Sequence, residues 1–173
     1  MLIHPLVVHF PIAFLVIYAL MEVISPFVRG LSWWDNTKAF LIIAGWLMVI
    51  PAIVTGIIAE DIVGEFDLVE AHSHTMWAVT AVFFLPFAAY LVRVYEQTGW
   101  GEKIASMNSL FAFSWRNKKK VARFILKTPV LITLAILGLV LMTIGGSFGA
   151  AIAHGTEADF IVSFIYHLFF GSN

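Results

Sequence analysis

The stretch AFLIIAGWLMVIPAIVTGII, residues 39–58, contains no charged side chain. About 20 apolar residues in a helix are enough to cross the hydrocarbon core of a bilayer. Residues 5–28, 74–92 and 130–153 have the same character, and Glu22 is the only acidic or basic residue within them. A backbone that crosses lipid has to satisfy its own hydrogen bonds, which favours helices. The sequence therefore predicts an all-α integral membrane protein, a four-helix bundle.

The composition agrees with a membrane protein and limits its chemistry. Hydrophobic residues make up 61% of the chain and charged residues 12%, against about 25% charged residues in soluble domains. The 173 residues fit a single membrane domain over residues 1–173. The absence of cysteine excludes disulfides, iron–sulfur clusters and covalently attached haem. The first span lacks a basic leader and a cleavage site, so we expect it to be retained.

The connection at residues 93–127 mixes lysines and arginines with large apolar side chains. This mixture is typical of an amphipathic helix lying on an anionic membrane surface. The membrane surface explains the basic cluster, so we expect no nucleic-acid partner. A second interfacial helix is predicted in the tail, over residues 159–170.

The orientation follows from the distribution of charge. All ten lysines and arginines lie in or beside two connections, residues 29–38 and 93–127, which alternating spans place on one side. The positive-inside rule assigns that side to the cytoplasm and both termini to the outside. Seven of the eleven acidic residues then lie outside: Glu60, Asp61, Glu65, Asp67, Glu70, Glu157 and Asp159.

All six histidines fall at or near the outer ends of the spans or in the tail. An ionisable residue in a membrane segment is costly unless it meets a partner or a cavity. We expect His167, in the tail helix, to be interfacial. The other five are the predicted cofactor-binding residues: His4, His9, His72, His74 and His154.

Two kinds of site would use these imidazoles. Histidines on different helices can supply the axial ligands of haem b, and His9 and His74 are the preferred pair because small residues adjoin them on their own helices. His154 and His4 are the replacements or form a second pair. His72 is about 200° around the helix from His74 and has bulkier neighbours. Alternatively, the histidines and Glu60 or Asp61 would bind Zn²⁺ or Cu²⁺.

The opening HPLVVHFP, residues 4–11, resembles a family of bacterial membrane proteins listed as domain of unknown function 2231, whose members begin His-Pro-x-x-Val-His-Phe-Pro. The likeness covers the four spans but not the basic connection or the tail. It implies a four-span fold in a bacterial or archaeal cytoplasmic membrane and a tie to respiratory electron transfer. The matching positions are His4, His9, one of His72 and His74, Thr55-Gly56, Glu60-Asp61, Gly145-Gly146 and His154-Gly155.

These observations predict a b-type cytochrome, or a cytochrome-like subunit of a larger membrane complex, with haem near the outer face. It would exchange electrons with a quinone or with a periplasmic carrier such as a cytochrome c, which the acidic outer rim would attract. The alternatives are a non-enzymatic structural subunit and a Zn or Cu site. The sequence leaves open whether the protein is an enzyme.

Overall fold

The computed structural model describes residues 3–28, 31, 33–64 and 66–171. Arg29 and Glu65, both counted in the predicted orientation, lie outside the described residues. Four of the described helices are long and apolar enough to cross a membrane, which confirms the predicted all-α membrane fold. The described helices are α1 (His4–Ile24), α2 (Trp34–Val63), α3 (Asp67–Gln97), α4 (Trp100–Ala105), α5 (Ser109–Ile125), α6 (Thr128–His154) and α7 (Phe160–Phe170), with a 3-10 turn at Ser25–Phe27 after α1.

The spanning helices extend beyond the apolar segments seen in the sequence. Helix α2 begins before residue 39 and continues to Val63, and α3 begins at Asp67 rather than near residue 74. Hydropathy detects the part of a helix that lies in hydrocarbon, whereas helical hydrogen bonding continues into the headgroup region. Both helices also continue through their internal prolines, Pro51 and Pro86.

The two helices predicted outside the spans are present. The basic connection forms α5, preceded by the short α4, and α5 packs against α3 and α4. The tail forms α7, which begins at Phe160 because Asp159 caps it by accepting hydrogen bonds from the backbone N–H groups of Ile161 and Val162.

The four spanning helices form a square. Helices α1 and α3 each pack against both α2 and α6, so α1 and α3 lie on a diagonal. They meet at the centre through edge-to-face contacts of Tyr18 with Phe83 and Tyr90. Neighbouring spans are antiparallel. We call the end with His4 and His72 the histidine end, and the end with Lys38 and Arg93 the basic end.

A glycine allows α6 to pack closely against α3. A Cβ atom added at Gly138 would lie 2.5 Å from Cζ of Phe83, which is 0% exposed. Gly146, two turns further along the same helix, has nothing within 4 Å of such an atom. Small residues at helix contacts of this kind are typical of membrane bundles.

Polar contacts hold the tail helix to the segment before it. Ser163 Oγ donates to Glu157 Oε2 at 2.7 Å, and His167 Nε2 lies 2.9 Å from Glu157 Oε1. His167 Nδ1 lies 3.2 Å from the carbonyl oxygen of Gly171. Only the protonated imidazole donates from both ring nitrogens. The Gly171 carbonyl and the Glu157 carboxylate accordingly raise the pKa of His167.

We expect Gly138→Ala to destabilise the bundle by about 1–3 kcal/mol, because the added methyl group overpacks the contact with Phe83. Gly146→Ala is the matched control, and we expect it to keep the stability or raise it by up to about 1 kcal/mol, because alanine is the better helix former. Unfolding of both variants in detergent would measure the difference. Equal stability of the two variants would contradict this packing.

We expect the tail helix to loosen as the pH rises. A raised folded-state pKa means that His167 stabilises the tail fully below the usual histidine value of 6.5 and loses this effect as pH rises through the raised pKa. Ser163 and His167 lower the pKa of Glu157, so the Glu157 contribution is lost only as pH falls below 4.5 towards the lowered value.

Hydrogen exchange of the α7 amides, corrected for the intrinsic pH dependence of exchange, should show greater protection at about pH 5.5 than at about pH 8.5. Glu157→Gln should reduce this difference and leave the part that is due to the Gly171 carbonyl. Equal protection of α7 at the two pH values in the unmodified protein would contradict a stabilising role for protonated His167.

Candidate functional site

Two of the predicted histidines turn into the bundle at the histidine end. His4 Nδ1 lies 3.1 Å from Thr55 Oγ1 on α2. His72 Nδ1 lies 2.8 Å from the backbone carbonyl oxygen of Gly145 on α6. Both residues are half-buried. Each imidazole therefore connects its own helix to a neighbouring one.

These contacts fix the hydrogen on each neutral ring. A carbonyl oxygen only accepts, so His72 carries its hydrogen on Nδ1. The Thr55 hydroxyl lies within donating distance of the Pro51 and Ala52 carbonyls, at 2.9 and 3.1 Å. Because its hydrogen is directed to the backbone, its oxygen accepts from His4 Nδ1. Both neutral rings consequently keep a free lone pair on Nε2, as ligating histidines held by a hydrogen bond do.

Glycines on the neighbouring helices make room for both rings. A Cβ atom added at Gly56 would lie 3.2 Å from His4 Cε1, and one added at Gly149 would lie 2.9 Å from His72 Cε1. The sequence favours His74 over His72 because the neighbours of His72 on its own helix are bulkier. The small residues that accommodate His72 lie instead on α6, so the sequence around His72 on α3 does not indicate them.

His4 lies on α1 and His72 on the diagonal helix α3, and both lie at the same end of the bundle. The histidine end thus presents two imidazoles from opposite sides of the bundle. Among residues 3–28, 31, 33–64 and 66–171, no group of three or more His, Cys, Asp or Glu side chains is arranged to hold a metal ion.

The other predicted histidines have more exposed surroundings. The His9 ring is exposed and contacts the backbone carbonyl of Pro5 on its own helix. The side chain of His74 is 74% exposed and lies 3.9 Å from Glu70. His154 is exposed at the end of α6. The structure therefore directs His4 and His72 into the bundle, and not His9, His74 or His154.

A second polar cluster lies at the basic end, where sequence reasoning placed no site. Glu22 and Lys38 are 1% and 5% exposed, and Lys38 Nζ lies 3.0 Å from Glu22 Oε2. Tyr90 donates its hydroxyl to Glu22 Oε1 at 2.8 Å, and Lys38 also donates to Ser25 Oγ at 3.1 Å. The cluster joins α1, α2 and α3.

The cluster continues towards the surface and is electrically balanced. Asp35 accepts from Lys38 at 3.3 Å and from Arg93 at 3.2 Å, so two acids face two bases. The Tyr18 hydroxyl lies beside Glu22 and is buried without a hydrogen-bond partner in the described part of the chain. Glu22, the single charge within a span, was the sequence signal for this cluster. Its partner Lys38 was counted as a residue of the connection.

A family described as "Predicted membrane protein (DUF2231)" matches residues 2–158. A search of curated proteins found no match, and neither did a search of solved structures. The family match extends the sequence-based likeness, because it runs through the basic connection as well as the four spans. It includes the histidine end and the basic end and stops before α7. The chain therefore belongs to this family of membrane proteins.

Proposed function

We propose that this protein is an electron-transfer protein, or a subunit of an electron-transfer complex, that holds haem b between His4 and His72 at the histidine end. The observation that carries the proposal is the pair of imidazoles on diagonal helices, each held by its Nδ1 hydrogen and each with a free Nε2 lone pair. Axial ligation of haem iron uses a nitrogen lone pair of this kind.

The residues around the two histidines fit this role. Thr55 and the Gly145 carbonyl would keep each ring in one tautomer and one orientation, which also increases the basicity of the ligating nitrogen. Gly56 and Gly149 give the rings space beside the adjoining helices. The bound haem would supply one-electron chemistry, while the protein would set its position and surroundings.

The same proposal places the histidine end at the outer face of a bacterial or archaeal cytoplasmic membrane. This orientation rests on the ten basic residues, all of which belong to the opposite side of the topology. Asp61, Asp67 and Glu70 are exposed at the histidine end. Their charge would steer a basic periplasmic carrier such as a cytochrome c towards the haem. A quinone is the alternative partner.

A second candidate function is that of a structural subunit in a larger membrane complex. It is favoured by the cross-helix contacts themselves, because His4 joins α1 to α2 and His72 joins α3 to α6 directly. A Zn or Cu site formed by the histidines with Glu60 or Asp61 is the third. Elemental analysis of the purified protein would distinguish it from the haem site.

Protein purified from haem-sufficient cells should show a Soret band that shifts on dithionite reduction. We expect His4→Ala and His72→Ala each to abolish the low-spin bis-histidine spectrum. His167→Ala is the matched control and should leave it unchanged. His9→Ala and His74→Ala test whether the exposed pair that the sequence favours ligates the haem instead. A colourless protein, or an unchanged spectrum in both His4→Ala and His72→Ala, would contradict the proposal. If the colourless protein co-purifies in a fixed ratio with partner subunits, the structural function stands instead.

A further inference from the structure

An apolar groove lies on the outside of the bundle near the basic end, between α3, α4 and α5. Its volume is about 900 Å³, within the range of about 300–1,000 Å³ that is typical of ligand pockets. Phe84, Phe87 and Leu91 line it on α3, and Phe111 and Val121 line it on α5. It therefore follows the half of α3 that is nearer the basic end.

A tight aromatic contact joins α4 and α5 beside the groove. Trp115, on α5, packs against Gly101 on α4, where an added Cβ atom would lie 1.9 Å from Trp115 Cζ2. The Trp115 indole N–H donates to Glu102 at 3.1 Å. Lys119 pairs with the same carboxylate at 3.0 Å. These contacts hold α5 at the position where it forms one wall of the groove.

One basic side chain of α5, that of Lys118, lines the groove. Lys118 lines it together with Ser114 and Asn117, and it forms no ion pair with any residue that the structure describes. Lys119 and Arg123, in contrast, pair with Glu102 and Glu96. Apolar walls with one available ammonium group and neutral polar groups complement an amphiphile that has an apolar chain and an anionic head.

We propose that this groove binds an anionic phospholipid, with an acyl chain along Phe84, Phe87 and Leu91 and the phosphate at Lys118. The complementarity of charge selects the occupant, because a zwitterionic lipid gains less from the ammonium group. The site is separate from the haem proposed at the histidine end, and neither proposal depends on the other.

The chain provides a matched control for the phosphate contact. Lys120 is on the same helix and exposed, forms no ion pair within the described ranges, and does not line the groove. It lies about 200° around the helix from Lys118. Lys118→Gln and Lys120→Gln therefore remove the same charge from the same helix, but only the first removes it from the groove.

Native mass spectrometry of delipidated full-length protein, titrated with phosphatidylglycerol or with phosphatidylcholine of identical chains, would test the site. We expect phosphatidylglycerol to bind more tightly. Lys118→Gln should reduce this preference by about fivefold, whereas Lys120→Gln should leave it nearly unchanged and Lys118→Arg should keep it. Ala88→Phe, which fills the groove, should weaken the binding of both lipids.

Three results would overturn the proposal: no preference for phosphatidylglycerol, equal losses in Lys118→Gln and Lys120→Gln, or undiminished lipid binding in Ala88→Phe. Displacement by glycerol phosphate at the same concentration as the lipid would also overturn it, because that result assigns a site for the phosphate group alone.

Discussion

The fold depends on the requirement that a charge buried in the membrane is paired inside the bundle. The buried ion pair between Glu22 and Lys38 meets this requirement. A charge in a bilayer has no water to solvate it and has to find its partners inside the bundle. Glu22 on α1 receives Lys38 from α2 and the Tyr90 hydroxyl from α3. These contacts fix the ends of three helices relative to one another. The histidines of α1 and α3 lie at the opposite end of the bundle.

The same constraint accounts for the histidine end. His4 and His72 are half-buried, and each satisfies one ring nitrogen on a neighbouring helix, through Thr55 and the Gly145 carbonyl. What remains is a lone pair on each Nε2, and these lone pairs support the proposed haem site. The α5 groove differs because Lys118 has no protein partner among the described residues. A lipid phosphate would supply that partner in the proposed groove site.

The sequence was sufficient to predict the four spans and the helices of the basic connection and the tail, because periodicity and hydropathy are local properties. It also identified the histidines as one group at one end. It did not distinguish His72 from His74, because the glycine that accommodates His72 is Gly149 on another helix. It did not pair Glu22 with Lys38, since the two residues lie on different helices and Lys38 precedes the apolar segment of α2. Contacts between helices depend on packing, which a local pattern does not contain.

The most direct test of this constraint is the stability of Lys38→Met, alone and combined with Glu22→Gln. Removing Lys38 leaves the Glu22 carboxylate buried without a counterion, and we expect a loss of about 3–5 kcal/mol. Adding Glu22→Gln removes that charge and keeps an acceptor for Tyr90, so the double variant should regain most of the stability. Lys120→Met, at an exposed position, is the control. Unchanged stability in Lys38→Met, or a further loss in the double variant, would contradict the account.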